Sequence, residues 1–197
     1  MTTYTWPGWA VSRFEMRVMP NTRVFTGSYT PNVQAVDMLG ARWYVRLSLV
    51  PAMTDAEAAA REAFFDRLVG QANSVNLWHL RRSAPLGTLT AATTSGTTAQ
   101  FSNTIALSGA TGATLLPGDQ FRLYGMLHRV MAPVTFASGA ATVEVQPRTR
   151  QAVPSGQTVA LAAPVAAFIL KPGTDNVPTT WAPGMADGAE VEFIEAL

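Results

Sequence analysis

The sequence predicts a mainly β protein of two lobes, in which a β lobe with one amphipathic helix is interrupted by an inserted small antiparallel β barrel or sandwich. Three observations predict it. Both ends of the chain hold stretches that alternate apolar and polar residues with period two. One stretch alone, "MTDAEAAAREAFFDRL" at residues 53–68, carries helical spacing. From about Arg81 the composition turns to Thr, Ala, Ser and Gly, with turn residues at short intervals, as in "GTLTAATTSGTTAQFSNTIALSGATGATL". The 197 residues suffice for two cores. The first lobe is expected over residues 1–80 and 165–197 and the inserted module over 81–164.

In chain order, "VSRFEMRVM" (11–19) puts Phe14, Met16 and Val18 on one face and Arg13, Glu15 and Arg17 on the other. Pro20 and Asn21 mark a turn, so "TRVFTG" is read as the returning strand of a hairpin. "SYTPNVQAVDMLG" holds a short edge strand ended by Gly40. Residues 41–50 form the clearest strand, with Trp43, Val45, Leu47 and Leu49 toward the core, stopped by Pro51, which has no amide proton to give the ladder. A helix over 55–69 follows. Thr54 is its N-cap, Glu57 completes a capping box, and Asp55 lies where the dipole favours an anion. Ala60, Phe64 and Leu68, widened by Phe65 and Val69, form its apolar stripe. Glu57 is spaced to pair with Arg61, and Gly70 is placed to end the helix. "SVNLWHL" then resumes as a strand.

In the inserted module the stronger strand signals are "DQFRLYG", "LHRVMAPVTF", "AATVEVQPRTR" and "QTVAL", each following turn residues. Apolar character returns in "VAAFILKPG". A Pro-rich stretch with Trp181 precedes the last strand, "EVEFIEAL", whose buried face is Val191, Phe193 and Leu197, with Glu190 and Glu192 solvated.

Composition limits the function. No run of about 18 apolar residues occurs, so membrane insertion is not expected. The start "MTTYTWPGW" lacks a signal peptide's basic and apolar regions, which predicts a protein that stays in the cytoplasm where it is made. Cysteine is absent, which excludes disulfides, thiolate nucleophiles and zinc–thiolate sites. Thirteen arginines and one lysine, Lys171, stand against 13 acids and are scattered, so phosphate neutralisation of a nucleic acid is disfavoured. Only 14% of residues are charged, against about a quarter in typical soluble domains, and Arg rather than Lys suits partly buried contacts. A coding sequence rich in G and C is a competing reason for that choice.

No catalytic motif is found. His79 and His128 both sit in strand-like segments and read as packed or surface strand residues. The acids show no metal-ligand spacing, so neither a metal nor a cofactor is expected. G-x-S-x-G is absent, and "GATGATLLPGD" lacks the Lys and spacing of a phosphate loop. Tyr4, Trp6 and Trp9 cluster at a Pro/Gly-containing segment outside the expected elements. They are candidate subunit-interface residues, against the alternative of packing on their own sheet.

Taken together, "ARWYVRLSLVPAMTDAEAAAREAFFDRLVGQANSVNLWHL", the module with "PGDQFRL" and "ATVEVQPRTR", and the closing "FIEAL" resemble the distal tail proteins of long-tailed siphophages and related gene-transfer particles. The resemblance implies a ring-forming lobe of strand, helix and strand, an inserted β module, and a hexameric ring as the first ring of the baseplate. Its implied partners are other copies of the chain, the tail tube protein, and baseplate hub or tail fibre proteins. It implies a virion component at the tail tip, made in the host bacterial cytoplasm, with no catalysis. Two alternatives stand beside it. A carbohydrate-binding β module for host adsorption needs exposed aromatics, of which residues 81–163 offer only Phe101, Phe121, Tyr124 and Phe136. Another tail component, such as a tube or terminator protein, would be a single β domain with a helix.

Overall fold

The computed structural model describes residues 1–26, 33–173, 181–182, 185–186 and 189–196. Among the described residues the fold is mainly β with a single helix. The strands are β1 (Thr3–Thr5), β2 (Val11–Met19), β3 (Thr22–Thr26), β4 (Val33–Asp37) and β5 (Arg42–Leu49), then helix α1 (Asp55–Leu68) and β6 (Ser74–Leu77). There follow β7 (Ala92–Thr94), β8 (Thr104–Gly109), β9 (Thr114–Leu115), β10 (Gln120–Leu123), β11 (Met126–Val130), β12 (Val134–Thr135), β13 (Ala140–Gln146) and β14 (Thr158–Ala160). Last come β15 (Ala166–Leu170), β16 (Trp181–Ala182), β17 (Met185–Ala186) and β18 (Glu190–Glu195).

Two compact units are present: residues 1–17, 43–81 and 165–197 form one, and residues 18–42 and 82–164 the other. Residues 18–42, expected in the first lobe, group with the inserted module.

The first unit holds a six-stranded sheet of order β1-β6-β15-β18-β5-β2. β1 runs parallel to β6, while β6–β15, β15–β18 and β18–β5 are antiparallel. Trp43, Val45, Leu47 and Leu49 of β5 are buried, as are Val191 and Phe193 of β18 and Phe168 and Leu170 of β15. Leu197, expected on the buried face of the last strand, lies outside the described residues. β18 also buries Glu195, whose Oε2 accepts the Trp43 backbone N–H at 3.1 Å. A carboxylate at that depth is supported by the donor it meets.

The helix begins as its sequence dictates. Thr54 accepts the Glu57 N–H at 3.2 Å, and Glu57 accepts the Met53 N–H at 3.0 Å. The expected Glu57–Arg61 pair is replaced. Arg61 is buried and donates to the Val50 carbonyl at 2.6 Å, occupying an acceptor at the end of β5 just before Pro51. The buried stripe is Ala58, Arg61, Phe64, Phe65 and Leu68; Ala60 and Val69 are exposed. Val69 is not the last residue of the stripe but the left-handed C-cap (φ 47°), followed by Gly70 at φ 61°. A residue that leaves the helical conformation turns its side chain off the stripe.

In the second unit β10-β11-β13-β8-β7-β14 close into a barrel, β14 returning to β10. Its core includes Leu89, Ile105, Leu107, Leu115, Phe121, Leu123, Phe136, Val143 and Val145. The stretch read as one strand, "LHRVMAPVTF", is broken by Pro133 into β11 and β12, and β12 leaves the barrel to pair with β9.

The expected hairpin of β2 with β3 is not formed. β2 joins the six-stranded sheet beside β5, and β3 pairs instead with β4 as a separate two-stranded sheet. The burial explains the choice: β2 puts Met16 into the core, whereas every residue of β3 is exposed.

Candidate interaction surfaces

Four surfaces carry chemistry that the core does not use. The first is the β3–β4 hairpin. Thr22 pairs with Asp37, Val24 with Ala35 and Thr26 with Val33, so Val24, Thr26, Val33 and Ala35 share one face. Arg23, Phe25, Gln34 and Val36 share the other. Val24 is 61%, Phe25 54% and Val33 63% exposed, so apolar groups are displayed on both faces. The root is tied down. Met38 donates its N–H to the Asn21 carbonyl at 2.8 Å, Asn21 donates through Nδ2 to the Leu39 carbonyl at 2.8 Å, and Arg148 meets Asp37 at 3.7 Å. Arg150 donates to the Ala41 carbonyl at 3.3 Å.

The second surface is a cleft of about 390 Å³ in the first unit, lined chiefly by Trp6, Trp9, Val11, Trp78, Leu80 and Arg81. Trp6 is only 3% exposed and stands between helix and sheet, edge-on to Phe64 at 5.9 Å and Phe193 at 6.4 Å. Trp9 is half-buried, 5.4 Å from Trp6 and 5.1 Å from Phe64. Of the three candidate interface residues, Trp6 and Trp9 therefore meet at this cleft. Tyr4 does not line it. It lies within β1, beside Val75 of β6, and so inside a regular element after all. Trp78, which was not singled out from the sequence, supplies another wall. Its signal was its position just after the buried Leu77.

The third surface is the face of the six-stranded sheet that bears Arg17, Tyr44, Arg46, Glu190 and Glu192. Tyr44 donates its hydroxyl to Glu192, Arg46 pairs with Glu190, and Lys171 meets Glu192 at 2.6 Å. The Arg17 guanidinium lies 4.9 Å over the Tyr44 ring. Burial, and then the hydrogen bond and charge of Glu192, push the Tyr44 hydroxyl up to about 12. The bonds from Lys171 and Tyr44 hold the Glu192 carboxyl below its ordinary value. With Glu15, 3.4 Å from Arg17, three acids face three cations, which gives the face little reason to hold a charged ligand.

The fourth is one end of the barrel. Phe101 and Tyr124 are exposed, and both have left-handed backbones (φ 62° and 49°), which side chains of that bulk seldom adopt. One segment holds both: the Phe101 N–H donates to the Thr149 carbonyl, and Gln151 donates to the Tyr124 carbonyl at 3.2 Å. Phe121 and Phe136, the module's other aromatics, are fully buried.

Both histidines pack against neighbouring groups. His79 follows β6 and packs edge-on against Phe14 at 5.1 Å. His128 is fully buried in β11; its Nδ1 lies 2.8 Å from the Pro147 carbonyl, and burial lowers its pKa to about 4. Among the described residues, no group of three or more His, Asp or Glu side chains is arranged to hold a metal ion. No described helix is long and apolar enough to cross a membrane.

Comparison with known protein families and with curated proteins finds no match to this chain.

Proposed function

We propose that the chain is a structural virion subunit, a distal tail protein of a long-tailed phage or a related gene-transfer particle. In this reading copies of it form a ring, hexameric by the resemblance, that joins the tail tube to the baseplate hub and does no catalysis. The observation that carries the proposal is the β3–β4 hairpin. An isolated two-stranded hairpin is marginal in water, and one with valine and phenylalanine displayed on both faces has a strong incentive to be covered. Burying Val24, Phe25 and Val33 against a partner contributes roughly 1.5–3 kcal/mol each. A helix that covers one side of the six-stranded sheet suits the same role, since the sheet then needs no second layer there from its own chain. Negative-stain electron microscopy of the purified protein tests the proposal: annular particles are expected, and a field of single small particles at micromolar concentration would count against it.

A second reading, glycan binding by the barrel, is favoured by Phe101 and Tyr124. Outliers of backbone conformation concentrate at functional sites. It predicts that Phe101→Ala with Tyr124→Ala abolishes retention of the protein on host-cell polysaccharide without altering its mass in solution.

A further inference from the structure

The tryptophan cleft and the hairpin are complementary in chemistry, and both belong to one chain. Resting on the ring reading, we infer that the cleft bounded by Trp9, Trp78, Leu80 and Arg81 is the seat for the Val24/Phe25/Val33 hairpin of a second copy. Three of the five tryptophans line the cleft, with Val11, Ala10 and Leu80 adding apolar surface. The lining has no acid, amide or hydroxyl side chain, so no side chain there accepts a hydrogen bond from a ligand hydroxyl. Its one charge, Arg81, lies 3.4 Å from the Val11 carbonyl to which it donates, and it repels cations. What fits is an apolar, uncharged projection. Among the hairpin's described residues, 24–26 and 33–36 carry no charged side chain, and Arg23 and Asp37 lie toward its root. Because hairpin and cleft are different patches, their contact is heterologous: each copy gives one and receives one. Such a contact closes into a ring when the rotation allows. The indole faces are also the surfaces best suited to anchor Phe25.

The absence of native cysteine makes the test clean. The double variant Phe25→Cys with Arg81→Cys is treated with a short thiol-reactive cross-linker and run under denaturing conditions, while light scattering gives the mass before cross-linking. The single variants serve as controls, and Val24→Cys with Ala10→Cys repeats the test at a second exposed pair. The expected result is a ladder of covalent multiples from the double variants that neither single variant produces. Phe25→Asp should weaken self-association at least tenfold and remove any concentration-dependent change in tryptophan emission. A mass of several chains with no ladder from either pair overturns this inference alone: the ring reading stands and the cleft belongs to another occupant, such as an extended proline-rich peptide. A mass of one chain at every concentration, with no ladder, overturns both.

Discussion

Asp119 is the residue whose role was least visible in the sequence. It sits in "PGD", where Pro117 and Gly118 announce a turn, and nothing in that spelling says the carboxylate will be buried. Yet its two oxygens accept the backbone N–H groups of Leu86 (2.6 Å), Gly87 (3.1 Å) and Leu116 (2.8 Å), drawing the segment that leads into the barrel against a loop some thirty residues later. Two of the three partners, Leu86 and Gly87, are backbone groups distant in sequence, which leave no pattern in residue types. Asp119→Ala strands those donors and should cost at least about 2 kcal/mol in urea denaturation, with Asp119→Asn milder because one oxygen remains. His128, by contrast, was legible from "LHRV" as a strand residue, packed or at the surface, and the structure buries it. Its Nε2 is buried without a hydrogen-bond partner among the described residues. Burial lowers its pKa from 6.5 to about 4, so the unfolded chain takes up the proton first as pH falls. Barrel stability is therefore complete above about pH 6.5 and declines as pH falls to about 4, by roughly 3 kcal/mol in all. Hydrogen exchange of barrel amides across that window should show the decline, and His128→Gln should flatten it.

Among the elements, α1 was the most legible, because capping is local chemistry. Thr54, Glu57 and Asp55 fix its start whatever the rest of the chain does, and Thr54→Ala should cost about 1 kcal/mol, measured by chemical denaturation. The helix's far end was less legible, since Val69 takes a left-handed conformation that a β-branched residue ordinarily avoids. Arg61 shows the same limit. Its spacing allowed a surface pair with Glu57, but a part-buried carbonyl at Val50 offers a guanidinium more than a solvated carboxylate does. The hairpin was misread for a related reason. Alternation identified β2 and β3 as strands, but pairing depends on which face finds a core, and β3 finds none in its own chain.

For the whole molecule, the mainly β class and a small barrel or sandwich followed from period-two patterning and from the Thr/Gly-rich middle of the sequence, and the structure decides for the closed barrel. Aromatic-rich strands at both ends supply one sheet, with β18 between β15 and β5 although it comes last in the chain. The interaction surfaces were only half legible. The N-terminal tryptophans stood out by type, but Trp78 and the exposed hairpin acquire their meaning from the fold. Under the proposed ring reading, low charge, abundant arginine, an acid-free tryptophan cleft and a hairpin without charge between Arg23 and Asp37 would share one explanation, self-association. The most direct test is the mass in solution, by light scattering over a concentration series. The mass is expected to grow from one chain of 21.0 kDa to a plateau near six chains. A mass of 21.0 kDa that stays constant across the series would contradict it.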